Sequence, residues 1–311
     1  MPDRLHAAPD TVHWGFFDAR LKPILTVESG AEVEIETVSG APDALPGPGF
    51  EVPEGLRRIH AGTPRPLGSG HILTGPVAVA GAAPGDVLRV EILDVRLGTD
   101  WGWNAIRPLG GALPDQFPEG RMVTIPLDRD AGEARMPWGG ALACRPFFGV
   151  MGTAPPEHWG MVSSVQPRAF GGNIDCKELT AGSVLYLPVF ADGALFSCGD
   201  GHAVQGDGEV CLTAVETALT GRFRLTLRKD MELEAPMAET AERWIQFAFD
   251  ASLDRAARTA LSRMIDFICL RSNLSREDAY MLCSLACDLR ITQLVNQQQG
   301  IHAMLDKGLI P

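Results

Sequence analysis

Along the first three quarters of the chain, apolar and polar residues alternate with period two. In LTVESGAEVEIETV, Leu25 to Val38, Val33 and Ile35 fall on one face and Glu32, Glu34 and Glu36 on the other, which predicts a half-buried strand. VAVAGAAPGDVLRVEILDV, Val77 to Val95, gives a strand, a turn at Pro84-Gly85 and a second strand whose Leu88, Val90 and Ile92 alternate with Arg89 and Glu91. ELTAGSVLYLPVF, Glu178 to Phe190, repeats that layout, as a duplicated β-unit would. GEVCLTAVETALTGRFRLTLRKD, Gly208 to Asp230, predicts two further strands joined across Leu219 to Arg222. The segments around Trp101 to Pro126 and Asp128 to Pro146 read as long functional loops.

The period changes after Arg228. DASLDRAARTALSRMIDFICLRS has apolar residues at helical spacing and predicts a helix over 252–272. A second helix is predicted over 275–297, opening with Ser275 and Asp278 in capping-box positions. Residues 1–230 therefore predict a mainly β body, an antiparallel sandwich, and 231–311 a C-terminal helical pair docked on it.

Composition narrows the partners. The 311 residues are 45% hydrophobic and 21% charged, a globular balance, and 27 basic residues against 39 acidic ones give a net charge of −12, which disfavours nucleic acid. No apolar run approaches a membrane span, and MPDRLHAAPDTVHW lacks the basic and apolar regions of a signal peptide, so a cytoplasmic protein with a small-molecule partner is expected. Seven cysteines without a CxxC pair argue against a disulfide framework or a cysteine-bound zinc cluster, and Cys283 and Cys287, one helical turn apart, are read as core. Exposed strand edges and the amphipathic helical pair predict a homo-oligomer, a dimer or larger.

Candidate chemistry is concentrated in two glycine-rich stretches. GGNIDCKEL brings Asn173 and Asp175, and FSCGDGHAVQGDGEV brings Asp200, His202, Gln205, Asp207 and Glu209. Asp, Asn and Gly also populate turns for backbone reasons alone, but Gly199, Gly201, Gly206 and Gly208 strip bulk from the bends that hold the acids, as close approach of a ligand requires. Asp200 and His202, two residues apart, aim to one side of an extended segment; with Asp175 they offer a mixed nitrogen and oxygen set for a divalent ion. Zinc, manganese and calcium all suit such a set. Asp200 and His202 thus belong to both the metal and the catalytic candidates, while Glu209, left free, is a proton carrier for hydrolysis. Elsewhere, His13 is read as an aromatic edge, His71 and His158 as loop candidates for the pocket, and His60 and His302 as structural. Cys176 is a lesser nucleophile candidate, because its neighbour Lys177 would point to the opposite face of a strand.

HILTGPVAVAGAAPGDVLRVEILDV, PFFGVMGTAPPE, GGNIDCKELTAGSVLYLPV, GDGHAVQGDGEVCLTAVE, AETAERWI and DAYMLCSLACDLRITQLV together resemble the acetamidase/formamidase family from about Thr11 to His302. The resemblance implies a β-sandwich core with appended helices, a divalent metal, and hydrolysis of small amides, cyclic ones among them, to a carboxylate and ammonia. Residue by residue, it implies a site of Asn173, Asp175, Asp200, His202 and Glu209. The rival from another class is a non-catalytic β-sandwich that binds a metal or carbohydrate through the same turns.

Overall fold

Between Ala31 and Thr37 the alternation becomes a strand: in the computed structural model of the chain, which describes residues 2–310, Val33, Ile35 and Thr37 are buried and the alternating Glu32, Glu34 and Glu36 partly wetted. That strand belongs to a nine-stranded sheet. Its order is Asp3–Leu5, Ala31–Thr37, Leu219–Arg228, Val87–Leu97, Val184–Pro188, Met237–Glu239, Arg243–Asp250, Gln299–Asp306 and Asp288–Gln293. A second sheet of eleven strands runs from Ala141–Ala143 through Glu133–Arg135, Arg121–Asp128, Trp101–Ile106, Glu216–Thr217, Phe196–His202 and Phe147–Gly152 to Gly171–Asn173. Ile72–Val79 also pairs with Phe196–His202 and carries two short outer strands. Among the described residues strand pairing is antiparallel, except that Asp3–Leu5 runs parallel to Ala31–Thr37, and Leu25–Val27 to Ile72–Val79.

The two sheets share one core. Phe223 of the first sheet meets Phe148 and Phe196 of the second at ring separations of 5.3 and 5.7 Å, among Ile35, Val90, Leu187 and Leu225. Truncating such a buried ring to Ala costs about 3–5 kcal/mol through lost transfer energy and the cavity left behind.

Helix α1 spans Glu54–Gly62, where Leu56 and Ile59 are buried beside Trp14 and Ile72; the period-two reading did not reveal it. Helix α2, Leu253–Arg271, begins at the cap Ser252 and buries Ala256, Ala260, Met264 and Ile268 against Ile301, Ala303 and Leu305. Helix α3, Arg276–Ala286, opens on Ser275, whose Oγ accepts from the Asp278 amide at 3.0 Å.

Three expectations are corrected. The second helix stops at Ala286 rather than near 297, because 288–293 and 299–306 pair as strands of the nine-stranded sheet; β-branched Ile291 and Thr292 suit that pleat. No hairpin turns at 219–222: Leu219–Arg228 is one strand, pairing with Ala31–Thr37 on one side and Val87–Leu97 on the other. The supposed loops from Trp101 and Asp128 contain strands, and Trp101 and Trp103 are buried because their indoles pack inward with Ala44 and Ala105.

Candidate active site and metal centre

Four neighbouring strands of the second sheet, Gly171–Asn173, Phe147–Gly152, Phe196–His202 and Glu216–Thr217, carry or border the site. In their ladders Asn173 stands opposite Val150, and His202 opposite Phe147 on one side and Glu216 on the other. Asp200 and His202, read as turn residues, lie on the Phe196–His202 strand itself, where a spacing of two sends both side chains to one face. His202 Nε2 is 3.3 Å from Asp200 Oδ2 and 3.2 Å from Glu216 Oε2. One donor atom each from Asp175, Asp200 and His202 lie within 4.8 Å of one another, and so do those of His202, Glu209 and Glu216.

The backbone is bent to make this convergence. Asp175, Asp200 and Glu209 have φ of 53°, 56° and 45°, the left-handed region that non-glycine residues rarely enter. Such conformations cost on the order of 1–3 kcal/mol each and persist where surrounding structure fixes them.

Close approach is achieved by a glycine other than those expected. A Cβ on Gly149 would lie 2.5 Å from Asp175 Oδ1, 2.6 Å from Asp200 Oδ2 and 2.8 Å from His202 Cε1, so only glycine leaves the space between the three groups open. Gly199 and Gly201 instead make room for backbone: their Cβ atoms would strike the carbonyl oxygens of Ile72 and Thr217. Gly206 would meet nothing within 4 Å.

Neighbouring groups hold each side chain. Nδ1–H of His202 donates to Gln205 Oε1 at 2.9 Å, which turns Nε2 toward the carboxylates, and Gln205 Nε2 donates to the Asp175 carbonyl at 2.8 Å. Asn296 Nδ2 donates to Asp175 Oδ2 at 2.5 Å, and the Ala214 amide to Glu216 Oε1 at 3.1 Å. His71 Nε2 lies 3.7 Å from Asp200 Oδ2, with its Nδ1 beside Ser164 Oγ at 3.1 Å.

Four carboxyl groups and an imidazole are thus gathered out of water: Asp175, Asp200, Glu209, Glu216 and His202 are all buried. Burial pushes the Asp175 carboxyl up to about 8, with Asp200 and Glu216 adding repulsion against the pull of His202. Burial likewise drives Glu216 up to about 7, and Glu209, with Asp175 beside it, well above the usual range. Asp200 is the exception: burial would raise it, but His71 and His202 outweigh that and lower it. Burial would also discharge His202, yet Glu216 and Asp200 hold its proton more tightly than usual. One oxygen each of Asn173, Asp175, Glu209 and Glu216 and Nε2 of His202 are buried without a hydrogen-bond partner. Buried acceptors left unpaired are costly, and a cation at their centre is what such a set accommodates. Oxygen donors with one imidazole fit a hard or borderline divalent ion.

Of the residues singled out in the sequence, Asn173, Asp175, Asp200 and Glu209 line one cavity with His202 directly behind. Asp207 does not join them; it pairs with Lys177 Nζ at 3.0 Å, part-exposed. The Cys176 thiol is fully buried and its pKa raised by that burial, which removes the thiolate a nucleophile needs. His158 is exposed and outside the cavity, His13 is buried between the Phe16 carbonyl and Ser197, and His302 bonds Thr292. His71, read as a loop candidate for the pocket, does line it, whereas Glu216, Asn296 and Gly149 escaped assignment. Glu216 alone left a readable signal, an acid inside the apolar run AVETAL.

The cavity above these groups measures about 500 Å³. Residues 17–161 and 160–305 match the acetamidase/formamidase family. The chain is 31% identical to a formamidase of Methylophilus methylotrophus over 51% of this chain and 52% of that protein, so it spans about half the length of the curated relatives it matches. A crystal structure of an acetamidase from Bacillus halodurans superposes with a TM-score of 0.84 at 32% identity over 97% of both chains. One of an acetamidase from Yersinia enterocolitica gives 0.86 at 28% identity, covering 100% of this chain and 94% of the other.

Proposed function

The chain belongs to the acetamidase/formamidase family, and from that premise we propose that it hydrolyses a carboxamide to a carboxylate and ammonia with the help of a divalent ion. The observation that carries the reading is the set of orphaned, buried donors, from Asn173, Asp175, Glu209 and Glu216 lining one cavity and from His202 behind them. Asp175, Asp200 and His202 would hold the ion, zinc first and calcium or manganese as alternatives, with the unpartnered Asn173 amide oxygen as a further ligand. An ion there supplies Lewis-acid charge to the amide carbonyl.

The protein's own groups divide the remaining work. Glu216 Oε1 accepts from the Ala214 amide, which leaves its unpartnered Oε2 3.2 Å from His202 Nε2 and suits it to orienting the imidazole. Glu209 has an unpartnered oxygen and a raised affinity for protons, which suits it to taking a proton from the attacking water and passing it to nitrogen. Water adds to the carbonyl carbon, the C–N bond breaks, and nitrogen leaves as ammonia. Gln205 keeps the His202 tautomer fixed throughout.

Ammonia release from formamide, acetamide, longer amides and lactams, before and after chelation and metal restoration, tests the reaction; a protein that binds metal but frees no ammonia would sink it. Metal content and rate measured on the same preparations separate the roles. His202→Ala is expected to lose both, whereas Glu209→Gln keeps its metal and loses roughly a hundredfold or more in kcat. Loss of metal in Glu209→Gln would instead make Glu209 a ligand.

A further inference from the structure

Both the volume and the charge of the cavity exceed what acetamide needs. Four non-hydrogen atoms fill on the order of 100 Å³, taking a water's share of about 30 Å³ for each, against a cavity of about 500 Å³. Resting on the amide-hydrolase reading, we propose that the preferred substrate carries a carboxylate beyond its carboxamide, and that Arg65 and Arg107 receive that carboxylate in the cavity.

The two arginines are mounted alike. Arg65 Cζ lies 5.1 Å from the ring centre of Trp14, and Arg107 Cζ 5.7 Å from that of Trp103. Both indoles are buried, at 5% and 7% exposure, so they are fixed platforms, and all four residues line the cavity. Arg65 has no carboxylate within 4.0 Å among the described residues. Arg107 has Asp43 at 3.8 Å, and the Asp43 side chain is 70% exposed, too wet to neutralise it. In a chain of net charge −12, a cavity with acids at its floor and two under-neutralised guanidinium groups on its wall has a direction. The neutral amide meets the acids, and a single negative charge meets the arginines. A guanidinium grips a planar carboxylate through paired N–H donors. A phosphate dianion would meet more repulsion from the floor, and a neutral aromatic tail would find the indole faces already covered by arginine.

The reaction is water plus the ω-carboxamide giving a dicarboxylate and ammonia. Its test compares succinamate and glutaramate with their methyl esters, which keep the length and remove the charge. The wild type should favour the anions at least tenfold in kcat/KM. In Arg65→Gln/Arg107→Gln that ratio should collapse toward one, and in Arg65→Glu/Arg107→Glu it should invert for an amide with a cationic tail. A role in packing alone would lower both substrates together and leave the ratio standing, and equal handling of anion and ester by the wild type overturns the proposal. Calorimetric titration with succinate and acetate separates this from the reaction itself. Were no amide to yield ammonia, the hydrolase reading falls, yet succinate binding that the double Gln variant abolishes upholds the carboxylate subsite. Succinate that binds no better than acetate overturns it.

Discussion

Gly149 shows how one missing carbon can define a site. Its absent Cβ leaves open the space between Asp175, Asp200 and His202, and a methyl group there would stand within van der Waals radii of all three. Gly149→Ala is therefore expected to fold, since Gly149 is not among the glycines of positive φ and the nearest atoms its Cβ would strike belong to site side chains, while losing metal and at least a hundredfold in kcat; unchanged metal content by elemental analysis would contradict this. Asn296 makes a complementary case. Replacing it with Leu removes the donor to Asp175 Oδ2 and leaves a buried oxygen unpaired, so metal affinity should drop about 10- to 100-fold, as for other groups that orient a ligand. Titration with a competing chelator measures the drop, and an unchanged affinity would remove Asn296 from the site. Asp175, Asp200, His202 and Glu209 stood out in the sequence because acids and a histidine are crowded into two glycine-rich bends, whereas Glu216, alone in an apolar run, did not. Their supporters did not either, since the roles of Gly149 and Asn296 depend on what lies across the sheet and not on what precedes them in the chain.

Among elements, legibility followed the locality of the forces. Helix α3 announced its start because the cap is a contact across three residues: Ser275 Oγ accepts from the Asp278 amide and donates to Asp278 Oδ2 at 2.7 Å. Ser275→Ala should cost about 1 kcal/mol, with a range of 0.5–2, read from the shift of the urea midpoint; no shift would mean that packing against α2 alone places the helix. The end of α3 was hidden, because Asp288–Gln293 becomes a strand only by pairing with Gln299–Asp306, and helical periodicity carried on across the break. The same holds around Trp101, where aromatic residues in a glycine-rich segment look like a loop until Arg121–Asp128 pairs with them. The Leu219–Arg228 strand concealed its length for a third reason: Gly221 sits in mid-strand because a Cβ there would strike the Phe148 ring at 2.6 Å, not because the chain turns.

At the scale of the whole molecule, the nine-stranded sheet is drawn from both ends of the chain, and a small polar cluster fastens the last part. Glu239 accepts from the Tyr186 hydroxyl at 2.6 Å and from Lys307 Nζ at 2.5 Å. Burial would raise the Glu239 carboxyl, but the two donors outweigh it and lower it below its ordinary value. A carboxyl lowered by folding contributes stability that is present above its unfolded pKa and disappears as pH falls through the folded value. Wild type should therefore exceed Glu239→Gln by about 1.5–3 kcal/mol at neutral pH, and the gap should close in acid; a gap independent of pH would assign the effect to packing. The placement of Asn296 also orders events in time. A ribosome releases the chain from its N-terminus at about 5–20 residues each second, so Asp175, Asp200, His202, Glu209 and Glu216 all emerge well before the residue that braces Asp175. A growing chain therefore carries all five of these groups while Asp175 still lacks its brace, and if the site takes a metal as proposed, tight loading is expected only once the segment that bears Asn296 has folded.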